Sequence, residues 1–210
     1  MSSKITSIRE GCLEIIKMPL GMYKANCYIL KENGEALIID PGFHPNQVIE
    51  AIGDFDVVGI VLTHGHIDHV TAATALYERY GMPILIHAAD VELLHTRRRI
   101  PSAYRIVFSA PTESLEIPYT DIGHYSLHIF ETPGHTPGSV CIGYKGHLFT
   151  GDTLFRGTIG RTESYLGDAD AMEGTIRYLR AFSPQWRVHP GHGPDTTLQK
   201  EFDSNPALQV

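Results

Sequence analysis

Apolar residues fall in short runs along this chain, and glycine, proline or aspartate closes most of them. Residues 13–18, 27–30, 36–39, 57–62 and 84–86 have the length and β-type composition of strands, as do 127–130, 140–144, 147–150 and 186–188. Asn33-Gly34, Asp40-Pro41-Gly42 and Pro133-Gly134 read as the turns between them. Elsewhere the period changes. Val70, Ala73, Tyr77 and Tyr80 recur at the spacing of one helix face, and Gly81 with Pro83 marks its end. Met172, Ile176, Leu179 and Phe182 draw a second stripe, with Asp168 or Asp170 suited to its N-cap. Shorter helices are expected over 45–52 and 88–95. Strands and helices mix without strict alternation in two blocks that meet near residue 105. That pattern predicts a layered α/β fold with mixed sheets, in a single domain over 1–210. Segment 100–125, which holds Pro101, Pro111 and Pro118, reads as loop.

Composition narrows the class. The chain has 210 residues, 42% of them hydrophobic and 20% charged, enough for a substantial core. A net charge of −7 argues against a nucleic-acid surface. The N-terminus lacks the apolar stretch of a signal peptide, and no run is long enough to span a membrane. Cytoplasm is the expected compartment, with no membrane partner. Cys12, Cys27 and Cys141 are too few and too scattered for a disulfide framework, and are expected to be reduced and mostly buried. The run Arg97-Arg98-Arg99 reads as a solvated helix end. Oligomeric state is not legible.

Twelve histidines are many for this length, and their placement is uneven. Directly after the apolar run at 57–62 comes Thr63-His64-Gly65-His66-Ile67-Asp68-His69, with three imidazoles and a carboxylate within six residues. Burying so much polar chemistry at a strand end is costly unless a cation pairs with it. The two-residue spacing places His64 and His66 toward one side of the loop, and Asp68 suits the N-terminus of the helix that follows. Three later turns, each behind an apolar run, offer further ligands: His135 in Thr132-Pro133-Gly134-His135, Asp152 in Thr150-Gly151-Asp152, and His192 in Pro190-Gly191-His192.

With this motif and these turns, the chain resembles the metallo-β-lactamase-fold hydrolases over nearly its whole length, from Asn26-Cys27-Tyr28 to His192. The resemblance implies a four-layer αββα sandwich of two mixed β-sheets, with a dinuclear site at their edge. It implies that His64, His66 and His135 hold one metal, that Asp68, His69 and His192 hold the other, and that Asp152 bridges them. Asp40, in Ile39-Asp40-Pro41-Gly42, is implied to orient the histidine loop or a ligand imidazole from beneath. Zinc suits the donor set, as do iron and manganese. His44, His87, His95, His124, His128, His147 and His189 match no ligand position.

Within that family the chain is most similar to the small glyoxalase II-like, or hydroxyacylglutathione hydrolase-like, branch. The segments 151–162 and 190–197 carry this, with Glu201 and Asn205-Pro206. The implied reaction is hydrolysis of a small-molecule thioester by a hydroxide shared between two divalent metals about 3.5–4 Å apart. Asp68 would orient the nucleophile as the catalytic residue, and Arg161 would meet an anionic end of the thiol carrier. Longer glyoxalase II enzymes add a C-terminal helical extension to their glutathione site. This chain ends eighteen residues after His192, so glutathione is expected to be held differently or replaced by another carrier. Three readings stay open beside it: an iron persulfide dioxygenase using His64, His135 and Asp152, a lactonase or other ester hydrolase, and a non-catalytic scaffold.

Overall fold

The computed structural model describes residues 4–95 and 108–209. Arg97-Arg98-Arg99 and Tyr104 lie outside them. The first block forms a seven-stranded sheet in chain order: β1 (Thr6–Glu10), β2 (Leu13–Leu20), β3 (Ala25–Glu32), β4 (Glu35–Ile39), β5 (Asp56–Val61), β6 (Ile84–Ile86) and β7 (Glu113–Ser114). Tight turns join β1 to β4 as antiparallel neighbours, whereas β4 to β7 run parallel. The parallel steps need crossovers, which α1 (Pro45–Ile52), the short α2 (Ile67–Val70), α3 (Ala73–Tyr80) and α4 (Val91–His95) help supply.

The second block follows with β8 (Tyr119–Ile122), β9 (Tyr125–Glu131), β10 (Val140–Tyr144), β11 (His147–Gly151), a small ribbon of β12 (Leu154–Phe155) and β13 (Thr158–Ile159), α5 (Ala169–Leu179), β14 (Arg187–Pro190), β15 (Thr196–Thr197) and α6 (Leu198–Ser204). Its main sheet is ordered β15-β14-β11-β10-β9-β8, and only the β11–β14 pair is parallel.

Strand alternation assigns each side chain to a layer. In β3, Tyr28 and Leu30 face the second sheet, while Cys27 and Ile29 face α1 and α3; in β4, Leu37 and Ile39 divide from Ala36 and Ile38 in the same way. In the second sheet, Val140, Ile142 and Phe149 meet the first sheet, whereas Cys141 and Leu148 meet Met172, Ile176 and Leu179 of α5. Sheets with both faces covered explain continuous apolar runs such as Ile38-Ile39. The result is the expected four-layer αββα sandwich. Two sequence expectations change, and one strand is new. Segment 100–125 is not loop throughout, because β7 and β8 lie in it; β8 alternates exposed and buried residues over four positions only, too short a signal. The edge strand β1 is mostly exposed and so carries no apolar pattern. Cys12 is exposed, at the β1–β2 turn, while Cys27 and Cys141 are buried. Among the described residues, no helix is long and apolar enough to cross a membrane.

Candidate metal centre

Four strands end at one rim of the sandwich, and the seven side chains singled out above project from the loops beyond them. The loop after β5 carries His64 and His66, and Asp68 and His69 lie in α2, where Asp68 occupies the first turn. The loop after β9 carries His135, β11 leads into Asp152, and β14 leads into His192.

One donor atom from each of His64, His66 and His135 lies within 4.8 Å of the others, and the same holds for Asp68, His69 and His192. His66 Nδ1 and His135 Nε2 are 2.8 Å apart. Across the second group, Asp68 Oδ2 is 3.3 Å from His192 Nε2, and the two ring nitrogens of His69 and His192 approach to 3.3 Å. Asp152 stands between the groups: Oδ1 is 3.4 Å from His69 Nε2, and Oδ2 is 3.5 Å from His135 Nε2 and 3.6 Å from His192 Nε2. Two buried atoms here, His64 Nε2 and Asp152 Oδ1, have no hydrogen-bond partner. Buried polar atoms without partners are costly, and imidazole lone pairs held this close repel unless a proton or cation lies between them. Two clusters of imidazole and carboxylate donors with unspent atoms aimed inward fit divalent cations.

Charge is balanced by neighbours. Burial, with the imidazoles of His69 and His66 adding to it, pushes His64 well below the usual histidine range. Burial and then His135 bring His66 down to about 4. In the other group burial is overruled: Asp152 and Asp68 raise His69 well above the ordinary value, and Asp68 and Asp152 also raise His192. Burial would raise the carboxyls of Asp68 and Asp152, but His69 and His192 hold both below the usual range. In the second group each imidazole and carboxylate thus favours the other's charged form, and a cation would compete with those protons.

Surrounding residues aim these donors. Asp40, 2% exposed, accepts from Thr63 N–H at 2.8 Å and Thr63 Oγ1–H at 2.6 Å, and its Oδ2 lies 3.0 Å from His69 Nδ1. That leaves His69 Nε2 facing Asp152. Asp40 also falls within 4.8 Å of donor atoms of His64 and His69, but its oxygens are taken up by these bonds. The Arg161 carbonyl is 2.8 Å from His135 Nδ1 and turns its Nε2 inward. Arg161 also lines a groove of about 440 Å³ with Glu163, Met172, Glu173 and Ile176, a groove that none of the seven donors lines. Gly191 has no room for a side chain, because an added β-carbon would meet the Asp152 carboxylate.

The sequence reading missed the supports of His192. Asn26 Nδ2 donates to the carbonyls of Pro190 (2.8 Å) and Gly193 (3.0 Å), Tyr28 Oη donates to Pro190 (2.7 Å), and Lys17 Nζ donates to Gly193 (2.7 Å) and pairs with Asp195 (2.6 Å). The first sheet thus grips the turn of the second. Lys17 and Asn26 are polar residues of β2 and β3, but nothing in those strands names the partner turn.

The chain matches a family model described as the metallo-beta-lactamase superfamily over residues 20–192. It is 33% identical to the hydroxyacylglutathione hydrolase GloC of Haemophilus influenzae, over 93% of this chain and 97% of that protein. Among solved structures, the BLEG-1 B3 metallo-beta-lactamase superposes with a TM-score of 0.85 at 32% identity, over 92% of this chain and 99% of that one. TTHA1623, solved in a di-iron-bound form, superposes with a TM-score of 0.82 at 31% identity, over 90% and 98%.

Proposed function

Because the chain belongs to the metallo-beta-lactamase superfamily, we propose that it is a thioester hydrolase of the hydroxyacylglutathione hydrolase type. In this reading His64, His66 and His135 hold one divalent cation, Asp68, His69 and His192 hold a second, and Asp152 lies between them. The observation that supports it is the pair of three-donor groups with Asp152 between them, in which His64 Nε2 and Asp152 Oδ1 are buried without hydrogen-bond partners. Zinc is the expected metal, with iron and manganese suited to the same donors.

When bound, a cation pair polarises a carbonyl oxygen and acidifies water enough to provide a nucleophile at neutral pH. The chain's own contribution is orientation. Asp152 presents one oxygen toward His69 and the other toward His135 and His192. Asp68, kept ionised beside His69 and His192, accepts a hydrogen bond from the attacking water and fixes its direction. A thiolate leaving group departs with little acid assistance, so a thioester suits a site built from carboxylates and neutral imidazoles. The identity to GloC supports glutathione as the carrier. Arg161 meets an anionic end of that carrier.

Elemental analysis of protein purified without added metal, combined with assays on a hydroxyacylglutathione, a lactone, a β-lactam and a persulfide with oxygen uptake, tests this. Two cations per chain and a preference for the thioester are expected, and Asp152→Ala reduces both metal content and turnover. Full thioesterase activity in Asp152→Ala ends the scheme. One iron per chain with oxygen consumption would instead establish the dioxygenase reading.

A further inference from the structure

One fully buried carboxylate is not among the seven donors, yet it is bonded to both loops that carry the His64, His66 and His135 imidazoles. Asp90 closes a single helical turn, Ala88–Asp90, beyond β6, and no part of it is exposed. Its Oδ2 accepts from Gly65 N–H at 2.8 Å and from Thr136 Oγ1–H at 2.7 Å, and its Oδ1 accepts from Gly138 N–H at 2.6 Å. Gly65 separates His64 from His66, and Thr136 follows His135. A single side chain therefore joins the loop after β5 to the loop after β9. Thr136 is itself braced, with its Oγ1 2.6 Å from Ser139 Oγ.

The Asp90 turn also crowds both glycines, together with the Leu93 β-carbon at Gly65. A β-carbon on Gly65 would stand 2.8 Å from the Asp90 carbonyl oxygen, and one on Gly138 would stand 2.7 Å from Asp90 Oδ1 and 2.8 Å from its amide nitrogen. Both loops lie directly against this turn. Charge-assisted hydrogen bonds to backbone and hydroxyl donors are strong and directional where water is excluded. None of the three is spent on a donor imidazole itself, unlike the Asp40 contact to His69.

We propose that Asp90 is a positioning residue for the three-histidine cation site. It sets the spacing of His64 and His66 against His135 without touching cation or substrate. The inference rests on the metal-centre reading above, and it separates the two sites: Asp90 serves the His64, His66 and His135 group, as Asp40 serves His69 in the other.

Asp90→Asn keeps the size of the side chain but turns an amide N–H₂ toward one of its donors. Thr136→Val removes the hydroxyl bonds to Asp90 and Ser139 but leaves both backbone bonds to Asp90, and Thr136→Ser restores the hydroxyl. Zinc titration against a chromophoric chelator, cobalt absorption spectra and melting of the metal-free protein are the readouts. Wild type binds two zinc ions. In Asp90→Asn and Thr136→Val one site weakens, by about 10–100-fold, while the other keeps its affinity; the cobalt spectrum of the three-histidine site changes, and Thr136→Ser behaves as wild type. If Asp90→Asn melts lower but binds both zinc ions as wild type does, Asp90 is only structural and the proposal falls. Should Asp90→Asn not fold, Thr136→Val decides alone, and unchanged affinity at both sites overturns the inference. A wild type that binds no zinc instead sinks the metal-centre reading beneath it.

Discussion

His69 and Asp40 are locked together in the interior: Nδ1 of the imidazole lies 3.0 Å from Oδ2 of the carboxylate, and neither side chain is more than 2% exposed. The contact fixes which nitrogen of His69 faces Asp152. The same carboxylate holds Thr63 by its amide and its hydroxyl, so it ties the end of β5 to the ring. Asp40→Asn sets an amide N–H₂ against one of three donors, which costs about 1–3 kcal/mol. It also releases the ring, and loss of such a partner lowers metal affinity by about 10–100-fold. Denaturant melts of the metal-free protein and zinc titration should show both effects. An Asp40→Asn protein with unchanged zinc affinity would remove Asp40 from the positioning of His69.

Gly160 lies where the β12–β13 ribbon returns to the rim. A β-carbon there would fall on the Asp152 carbonyl oxygen and stand 3.3 Å from the His135 β-carbon. Both neighbours belong to the proposed centre, so neither can move without shifting a donor. Gly160→Ala is therefore expected to cost about 1–3 kcal/mol as overpacking and to lower turnover more than ten-fold, a loss of about 1.4 kcal/mol in transition-state binding. Steady-state kinetics and a thermal melt check this. Normal turnover would show that the ribbon yields without disturbing Asp152.

A layered α/β fold and the candidate donors were legible in local sequence, whereas the four-layer sandwich and the division of the donors into two groups followed from the family resemblance. The strands that lead to the rim carry short apolar runs, and the donors follow those runs within a few residues. The supports were less legible. Asp40 could be read because its Asp-Pro-Gly turn matches a position of the resembled family. Asn26 could not, because its partner Pro190 is 164 residues away, and nothing in either segment specifies the other. Asp90 belongs to the same class: its two partner loops come from different sheets. Contacts of long sequence separation exist only once the two sheets pack.

Gly174 lies in the exposed middle of α5, and an added β-carbon there meets nothing within 4 Å. Glycine in a helix interior costs about 0.5–1 kcal/mol relative to alanine, because its unfolded chain is freer. Gly174→Ala should stabilise the protein by that amount. The melting temperature should rise by about 1–4 °C for a chain of this size, with turnover unchanged. A lower melting temperature would show that α5 needs a distortion at this residue.

His147 is 1% exposed, stacks on His189 and places Nδ1 2.9 Å from His189 Nε2. Burial, and then the neighbouring imidazole, bring its pKa from 6.5 down to about 4, against an opposing pull from Asp195. Glu10 faces its other nitrogen at 3.5 Å. The depressed value sets the sign: the folded state holds His147 neutral, while the unfolded chain takes up a proton below pH 6.5. Its contribution to stability is therefore complete above pH 6.5 and is lost as pH falls toward about 4. A shift of this size bounds the loss at about 3 kcal/mol. His147→Gln keeps a polar group against His189 but cannot titrate. Denaturant melts between pH 4 and 7 should give a shallower fall for the variant than for wild type. Parallel curves would place the acid sensitivity on other groups and leave the stacked pair uncoupled from pH.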